Sequence, residues 1–446
     1  MSREKGAKMT KKGFIISWFY PPGNSSEGLV TYKLLSHSKY QYDVWTRETQ
    51  AYDIWDRQTN ETKLCSDNVN VIQAKYVDSK QWVADAVQFF TEHADEYDFV
   101  MSRTMPAEAH EIALAIKKIR PDIPWLASFG DPFVNTPYIA PPNRKDNPYL
   151  IQKYMEGEEL SLLAIPHIGL SLTRNAQKFV WNKERNRMRV FAKEYRKIND
   201  EVFESADVLV FNNDFQFKHA FQEEYAKYQP KGVVIPHTFA KELYPKSNSE
   251  KASGDKIHFA YAGHLDSLRN AASLFKAIKL LKDQDLKLSS RVVFDFYGHM
   301  GDADKVSIVD YDIGDIVKVH PDVDYLTSLK IFSEADWTVL IDANFVESME
   351  EYIFFPAKLA DYMGAKQNIF AISQVKGTTA SILKQVGGGK VVTHSAEDIF
   401  LYLSKIIYQG FKPEPFNPKE LLKYESSNVA KNYDELVEKL IKKGND

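Results

Sequence analysis

Along most of this chain, short apolar runs rich in β-branched and aromatic residues alternate with longer stretches of helical periodicity, and that alternation restricts the fold to parallel sheets with crossover helices. In the first half it predicts strands at Gly13 to Ser17, Tyr42 to Thr46, Asn70 to Ile72, Asp98 to Ser102, Pro124 to Ser128, Asp207 to Phe211 and Gly232 to Ile235. Helices such as Val83 to His93 and Pro106 to Ile119 separate them. A polar segment, Lys246 to Lys256, interrupts the rhythm like a linker. The alternation then resumes, with strands predicted at Ile257 to Ala262, Val292 to Tyr297, Ile316 to Val319, Thr338 to Ile341 and Ile369 to Ile372. A length of 446 residues suits two domains of about 200 residues each. The expected fold class is therefore α/β, two doubly wound Rossmann-like domains, with bounds at 1–245 and 246–416 and a helical segment, 417–446, packing back on the first. Such sheets bind ligands beyond the carboxyl ends of their strands, so the site is expected in the cleft between the domains.

One segment breaks the rhythm. Between Asn135 and Glu204 no strand pattern is visible, and Arg174 to Lys197 holds nine Lys or Arg against two Glu. Met188, Phe191, Tyr195, Ile198 and Val202 recur at helical spacing, which predicts a basic amphipathic helix. The plainer reading is a solvated helix packed on the first domain; the sharper one is a contact with anionic lipid or a lipid-linked substrate. The chain as a whole has a formal net charge of -4, which argues against nucleic acid as a partner. The single cysteine, Cys65, excludes an intrachain disulfide and reads as a buried or bystander thiol in a reducing compartment. The apolar run Phe14 to Phe19 is too short for a signal-peptide core, and no run reaches the ~18 apolar residues of a membrane span. The expected location is cytoplasmic, at most peripheral at the inner face of a membrane.

The strongest local signal is the run Tyr352 to Ala365, in which Pro356 marks the first turn of a helix. The free N–H groups of such a turn, with the positive end of the helix dipole, suit a phosphate, and Lys358 in the same turn would otherwise oppose that dipole. One turn on, Asp361 can accept hydrogen bonds from a vicinal diol such as that of a ribose. A second signal is Ala260-Tyr261-Ala262-Gly263-His264-Leu265, followed by Arg269-Asn270: the glycine permits close backbone approach and the arginine offers a fork for phosphate oxygens. A third is Phe19 to Gly28, where Gly23 permits close approach and Asn24, Ser25 or Ser26 can cap the next helix, so that this loop faces the cleft from the opposite domain. Asn24-Ser25-Ser26 also matches a glycosylation sequon, which is discounted without a secretory signal.

With those residues in view, the second half resembles the family 4 retaining glycosyltransferases of the GT-B fold, in particular bacterial enzymes of surface-polysaccharide assembly. The matching positions are Tyr261 and Gly263, Arg269 and Asn270, Tyr297 and Gly298, and Pro356, Lys358, Leu359, Asp361 and Tyr362. In the first half Ser102-Arg103-Thr104-Met105-Pro106 with His110, Gly130-Asp131-Pro132-Phe133, Ala206-Asp207 and Val234-Ile235-Pro236-His237 are similar to segments of the same group. The resemblance implies that Arg269 and Lys358 neutralise a leaving diphosphate without a metal, that Asp361 binds the ribose, and that the loop Pro321 to Tyr325 lies against the base. It implies a nucleotide-sugar donor held by Gly23, Gly263, Arg269, Asn270, Tyr297, Gly298, Tyr325, Pro356, Lys358 and Asp361. It further implies an acceptor, a glycan or lipid-linked glycan, on the side of Arg103, His110 and Asp131. Two positions depart from the pattern. Of the family's paired glutamates, Asp361 replaces the second and Ile353 stands at the first, with Glu350 and Glu351 nearby; and Gly130 stands where an arginine often precedes the Asp-Pro pair.

Glycosyl transfer passes through an oxocarbenium-like state, so a departing diphosphate must be stabilised and a proton taken from the incoming hydroxyl. Asp131 is the candidate base or acceptor-positioning group and His110 the second. Other chemistries lack their residues. Gly387-Gly388-Gly389-Lys390 has neither P-loop spacing nor the following Ser or Thr and reads as a turn into a strand at Val391, His110-Glu111 has no second histidine at zinc spacing, and no serine elbow occurs. Two alternatives to a hexosyltransferase-type enzyme stay open: a nucleotide-sugar epimerase of the same fold, and a non-catalytic partner subunit.

Overall fold

A computed structural model of the chain describes residues 11–23, 25–48, 64–132, 193–246, 256–265, 269–345 and 349–443. Among these the strands form two sheets in which every pairing is parallel. The first holds β1 (Lys12–Ser17), β2 (Gln41–Arg47), β3 (Val69–Ala74), β4 (Phe99–Thr104), β5 (Trp125–Phe129), β6 (Val208–Phe211) and β7 (Gly232–Val234) in the order β3-β2-β1-β4-β5-β6-β7. The second holds β8 (Ile257–Ala262), β9 (Val292–Tyr297), β10 (Val317–His320), β11 (Trp337–Ile341), β12 (Asn368–Ile372) and β13 (Gly389–Val392) in the order β10-β9-β8-β11-β12-β13. Each sheet reverses its winding once, between β1 and β4 and between β8 and β11, and the crevice at such a switch point is where doubly wound sheets hold ligands.

The reason for this layering is visible in β1, where Phe14, Ile15 and Ile16 are consecutive and all fully buried. A strand apolar on both faces needs a helical layer on each side, which parallel crossovers supply. Phe14 joins Trp82, Phe90, Ile112 and Trp125 on one face. Ile15 joins Tyr42, Leu126 and Val210 on the other, with Val429, Tyr433 and Val437 from the long helix Ser426–Lys443. The chain therefore returns to the first sheet after completing the second. The return is stitched at the crossing: the Phe239 N–H donates to the Tyr424 carbonyl at 3.0 Å and the Ser426 N–H to the Phe239 carbonyl at 2.9 Å.

Every predicted strand lies on an observed one, with ends displaced by a residue or two. Ile235 falls just past β7, though its N–H still donates to the Phe211 carbonyl at 2.8 Å. Of the run Gly387 to Lys390 only Gly387 and Gly388, at φ +73° and +72°, form the turn, and Gly389 and Lys390 already belong to β13, two residues ahead of the expected start at Val391. Cys65 is exposed rather than buried. Most of the basic stretch, including Arg174, Met188 and Phe191, and residues 247–255 of the expected linker lie outside the described residues. Residues 193–205 are helical, with Tyr195 and Val202 buried in the first core, Ile198 packed against it, and Arg196 paired with Glu224 at 2.8 Å. Among the described residues no helix is long and apolar enough to cross a membrane.

Tyr433 is fully buried, so Tyr433→Ala leaves a cavity under β1. It is expected to cost about 3 kcal/mol or more, read as a lower urea midpoint by tryptophan fluorescence. An unchanged midpoint would show that the returning helix contributes nothing to the first core.

Candidate active site

Where the switch points of the two sheets meet, a cavity of about 310 Å³ opens between them. Ser25, Ser26, Leu29 and Lys33 wall it from the first domain, all at the start or along one face of the helix Ser26–Leu35. Facing them from the second domain are Gly263, His264, Arg269, Tyr297, Asp322, Val323, Tyr325, Ala357, Lys358 and Asp361. A larger recess of about 650 Å³ is lined by three helices of the first domain alone, not by both domains.

Two helix N-termini therefore front the same cavity. In the second domain the helix Ala357–Ala365 follows Pro356, whose φ of −61° starts the turn and whose ring offers no side-chain cap. In the first domain Ser25 occupies the N-cap of Ser26–Leu35, and its side chain makes no capping hydrogen bond either. Uncapped amides with the positive ends of two helices favour an anion. Lys358 adds a cation: its ammonium sits 4.8 Å from the centre of the Tyr261 ring and donates to the Tyr261 hydroxyl at 3.3 Å. Gly263 makes this approach possible. Its φ is +134°, and a Cβ there would run into the end of the Lys358 side chain. Behind both cations lies Asp342, fully buried at the end of β11. One oxygen accepts from Ser373 at 2.6 Å and Thr379 at 2.7 Å, and the other has no hydrogen-bond partner. Burial pushes its carboxyl above the usual range, while Ser373 and Thr379, then Arg269 and Lys358, pull it back.

At the other end of the cavity Tyr297 stacks on His320, with ring centres 4.4 Å apart, beside Asp322 and Val323. Gly298, at φ +117°, is not in the lining, but a Cβ on it would meet the Gly263 carbonyl, so the two glycines let the loops after β8 and β9 close on each other. Asp361 lines the cavity between the two ends. Its Oδ1 accepts from the Lys33 ammonium at 2.7 Å and from the Tyr325 hydroxyl at 2.8 Å, and Tyr244 donates to its backbone carbonyl at 2.8 Å. Lys33 belongs to the first domain and is almost completely buried.

In the first domain Asp131 follows β5 and retains part of its surface, and neither it nor Arg103 is among the residues that line the cavity. Burial first and the Glu27 carboxylate second raise its pKa, Arg269 and Arg103 oppose the rise, and the outcome is a pKa of about 7. The influence of Arg269 shows that Asp131 and the second domain share one electrostatic field across the cleft. Arg103 is buried, 3.1 Å from the Glu27 carboxylate, and donates to Ser128 at 3.3 Å. Its positive charge favours the ionised form of Asp131.

His110 does not reach the cleft. It is fully buried, bonded to Ser102 at 2.7 Å and edge-on to Phe129, and burial alone lowers its pKa to about 3, so it is a neutral core residue. Gly23, Asn270 and Pro356 are also absent from the cavity wall. Asn270 instead accepts from the Ala272 N–H at 3.3 Å, at the start of the next helix. Glu350 is exposed and paired with Lys376 at 2.8 Å, Glu351 is exposed, and Ile353 is buried among Tyr352 and Phe354; none lines the cavity. Lys33, Glu27 and Asp342 escaped the sequence reading. A lysine flanked by Tyr32 and Leu34 on a buried helix is a weak signal, and its partner lies 328 residues away. Among the described residues no three His, Cys, Asp or Glu side chains could hold a metal ion.

No protein-family model matches this sequence, and no curated protein matches it either. Solved structures do match over nearly the whole length. An α,α-trehalose-phosphate synthase (UDP-forming) from Burkholderia xenovorans has a TM-score of 0.60 at 9% identity, over 96% of this chain and 100% of that one. A sucrose-phosphate synthase from Thermosynechococcus elongatus has 0.56 at 13% identity, over 97% and 95%. The fold is GT-B. A protein assigned as a UDP-N-acetylglucosamine 2-epimerase from Listeria monocytogenes shares it, with a TM-score of 0.53 at 10% identity over 98% of each chain. At these identities the likeness carries the GT-B architecture and nothing of the chemistry.

Because Gly263 holds a backbone conformation that side chains disfavour and leaves room for Lys358, Gly263→Ala is expected to cost about 1–3 kcal/mol of stability. Thermal unfolding with no loss would show that the loop after β8 relaxes without cost.

Proposed function

We propose that this protein is a retaining glycosyltransferase that moves a hexosyl group from a nucleoside diphosphate sugar to a hydroxyl of a glycan or lipid-linked glycan, in bacterial polysaccharide or glycoconjugate assembly. The observation that carries the proposal is the cavity between the domains, where Lys358, Arg269 and two uncapped helix N-termini surround space for a diphosphate. Among solved structures with this fold, one is a UDP-forming trehalose-phosphate synthase and another, from E. coli, is bound with UDP-2-fluoro glucose, which fits the same donor class.

In this reading the diphosphate sits on the start of Ala357–Ala365, the ribose at Asp361 and the base against Tyr297 and the Asp322–Tyr325 segment. As the bond from the anomeric carbon to the diphosphate oxygen breaks, Lys358, Arg269 and the helix amides take up the charge that develops on that oxygen, a task that needs no metal. For retention the acceptor hydroxyl approaches from the face that the diphosphate leaves. The leaving phosphate oxygen is then placed to take the proton of that hydroxyl, and the ionised carboxylate of Asp131 orients the acceptor by accepting a hydrogen bond from a neighbouring hydroxyl of the same acceptor. The catalytic work is assigned to Asp131, Arg269 and Lys358, in a protein acting in the cytoplasm or at the inner membrane face.

A second reading is favoured by the epimerase among the solved structures of this fold. An epimerase needs the donor but no acceptor. Incubation with UDP-, GDP- and dTDP-sugars, with and without a lipid-linked acceptor, is expected to show nucleotide release that depends on the acceptor. Acceptor-independent release with an altered sugar would support the epimerase, and binding of no donor would sink both.

Lys358→Ala is expected to lower kcat by roughly 10²-fold or more with the melting temperature nearly kept. Unchanged turnover removes Lys358 from the site. Since the Asp131 pKa is raised to about 7, the carboxyl is neutral below that pH and ionised above it. The profile of kcat/KM should therefore rise with pH through about 7, and Asp131→Asn should abolish that step. A step that survives in Asp131→Asn assigns the titration to another group.

A further inference from the structure

The contact between Lys33 and Asp361 has the form of an unfinished binding site. Lys33 is 1% exposed and Asp361 9%, yet both line the cavity. Taking two charges out of water is costly, and a buried pair that serves structure alone tends to have its remaining hydrogen-bonding capacity filled by protein groups. Here it is not. An ammonium has three N–H donors. Among the described residues that of Lys33 bonds only Asp361 Oδ1 at 2.7 Å, and its one other neighbour of note is the Tyr325 ring, 5.7 Å from centre to nitrogen. Oδ1 also takes the Tyr325 hydroxyl, whereas Oδ2 of Asp361 accepts no hydrogen bond from any described residue. The pair thus presents an open acceptor and open donors, side by side, to the cavity.

A vicinal diol complements that arrangement, because one hydroxyl can donate to the carboxylate oxygen while its neighbour accepts from the ammonium. The placement supplies the rest. Asp361 lies three residues beyond Lys358 on one helix, so the two side chains share a face about one turn apart. A ligand with its diphosphate at Lys358 and a diol one turn away has the shape of a ribonucleoside 5′-diphosphate. We infer that Lys33, from the opposite domain, reads the ribose together with Asp361, and that the protein selects ribonucleotide over deoxyribonucleotide donors. This inference rests on the donor reading above and adds to it a positioning residue and a restriction on the donor. It also makes donor binding depend on both domains, since the ribose is held by a residue from each.

The test compares ligands before it compares proteins. Wild-type protein is titrated calorimetrically with UDP and GDP and with the 2′-deoxy and 3′-deoxy form of each. The expected result is that at least one ribonucleotide binds and that loss of either hydroxyl weakens it by about tenfold or more, as at sites built to bond a hydroxyl. In Lys33→Met the ribonucleotide is expected to bind nearly as weakly as one of its deoxy forms, so that the ratio for that hydroxyl shrinks to about twofold. Equal binding of ribo and deoxy ligands by the wild type overturns the inference and leaves the donor reading standing. A Lys33→Met protein that weakens all ligands alike, with the ratios kept, also overturns it and makes the pair structural. Binding of no nucleotide overturns the donor reading and the inference with it. Should Lys33→Met fail to fold, Lys33→Arg decides. It keeps the charge opposite Asp361 and moves the donors, so a ratio changed at least threefold supports the contact with ribose, and an unchanged ratio overturns it.

Discussion

The ion pair between Lys33 and Asp361, 2.7 Å across the cleft and almost closed to solvent, is the interaction on which the rest of the site depends. Two sheets that each fold around their own core have no intrinsic reason to adopt one relative position. The hydrogen bonds from Asn213 to the Ile353 carbonyl at 2.8 Å and from Thr378 to Asn213 at 2.9 Å also cross between them. The Lys33 contact does so with charge, at the cavity itself. Such a pair adds little net stability, but breaking it by removing one partner leaves a buried charge unmatched, which costs about 3–5 kcal/mol. Its effect is thus on geometry: arrangements of the domains that separate Lys33 from Asp361 are penalised, and the one that forms the cavity is kept.

Charge in the site is arranged by depth. Lys358 and Arg269 stand at the cavity wall with Asp342 buried behind them. Lys358 is held back against the Tyr261 ring and hydroxyl, in a place that exists because Gly263 carries no Cβ. Across the cleft Asp131 titrates near neutrality because burial and Glu27 outweigh the pull of Arg269 and Arg103.

The strands, their parallel pairing and the division into two sheets are legible in the alternation of apolar runs, because a strand such as Phe14 to Ile16 that is apolar on both faces has few ways to be covered. The helix that opens on the cavity was legible at Pro356, since proline presets the first turn and a lysine there is out of place without an anion. Local chemistry also marked Gly263, Arg269, Tyr297 and Asp361, all of which meet at the cavity. It placed His110 wrongly. A histidine near a cleft segment reads the same in sequence whether it faces water or is closed in by Phe129 and bonded to Ser102.

Residue types and spacing thus determined the elements, their order and the start of one helix with its lysine, because those depend on interactions within a few residues. Which side chains share the cavity was decided only when the sheets met. Lys33 and Asp361 are separated by 328 positions, and Asp131 feels Arg269 from another domain. No local pattern records a partner that far along the chain, so the ion pair that joins the domains and the field around Asp131 are properties of the tertiary structure alone.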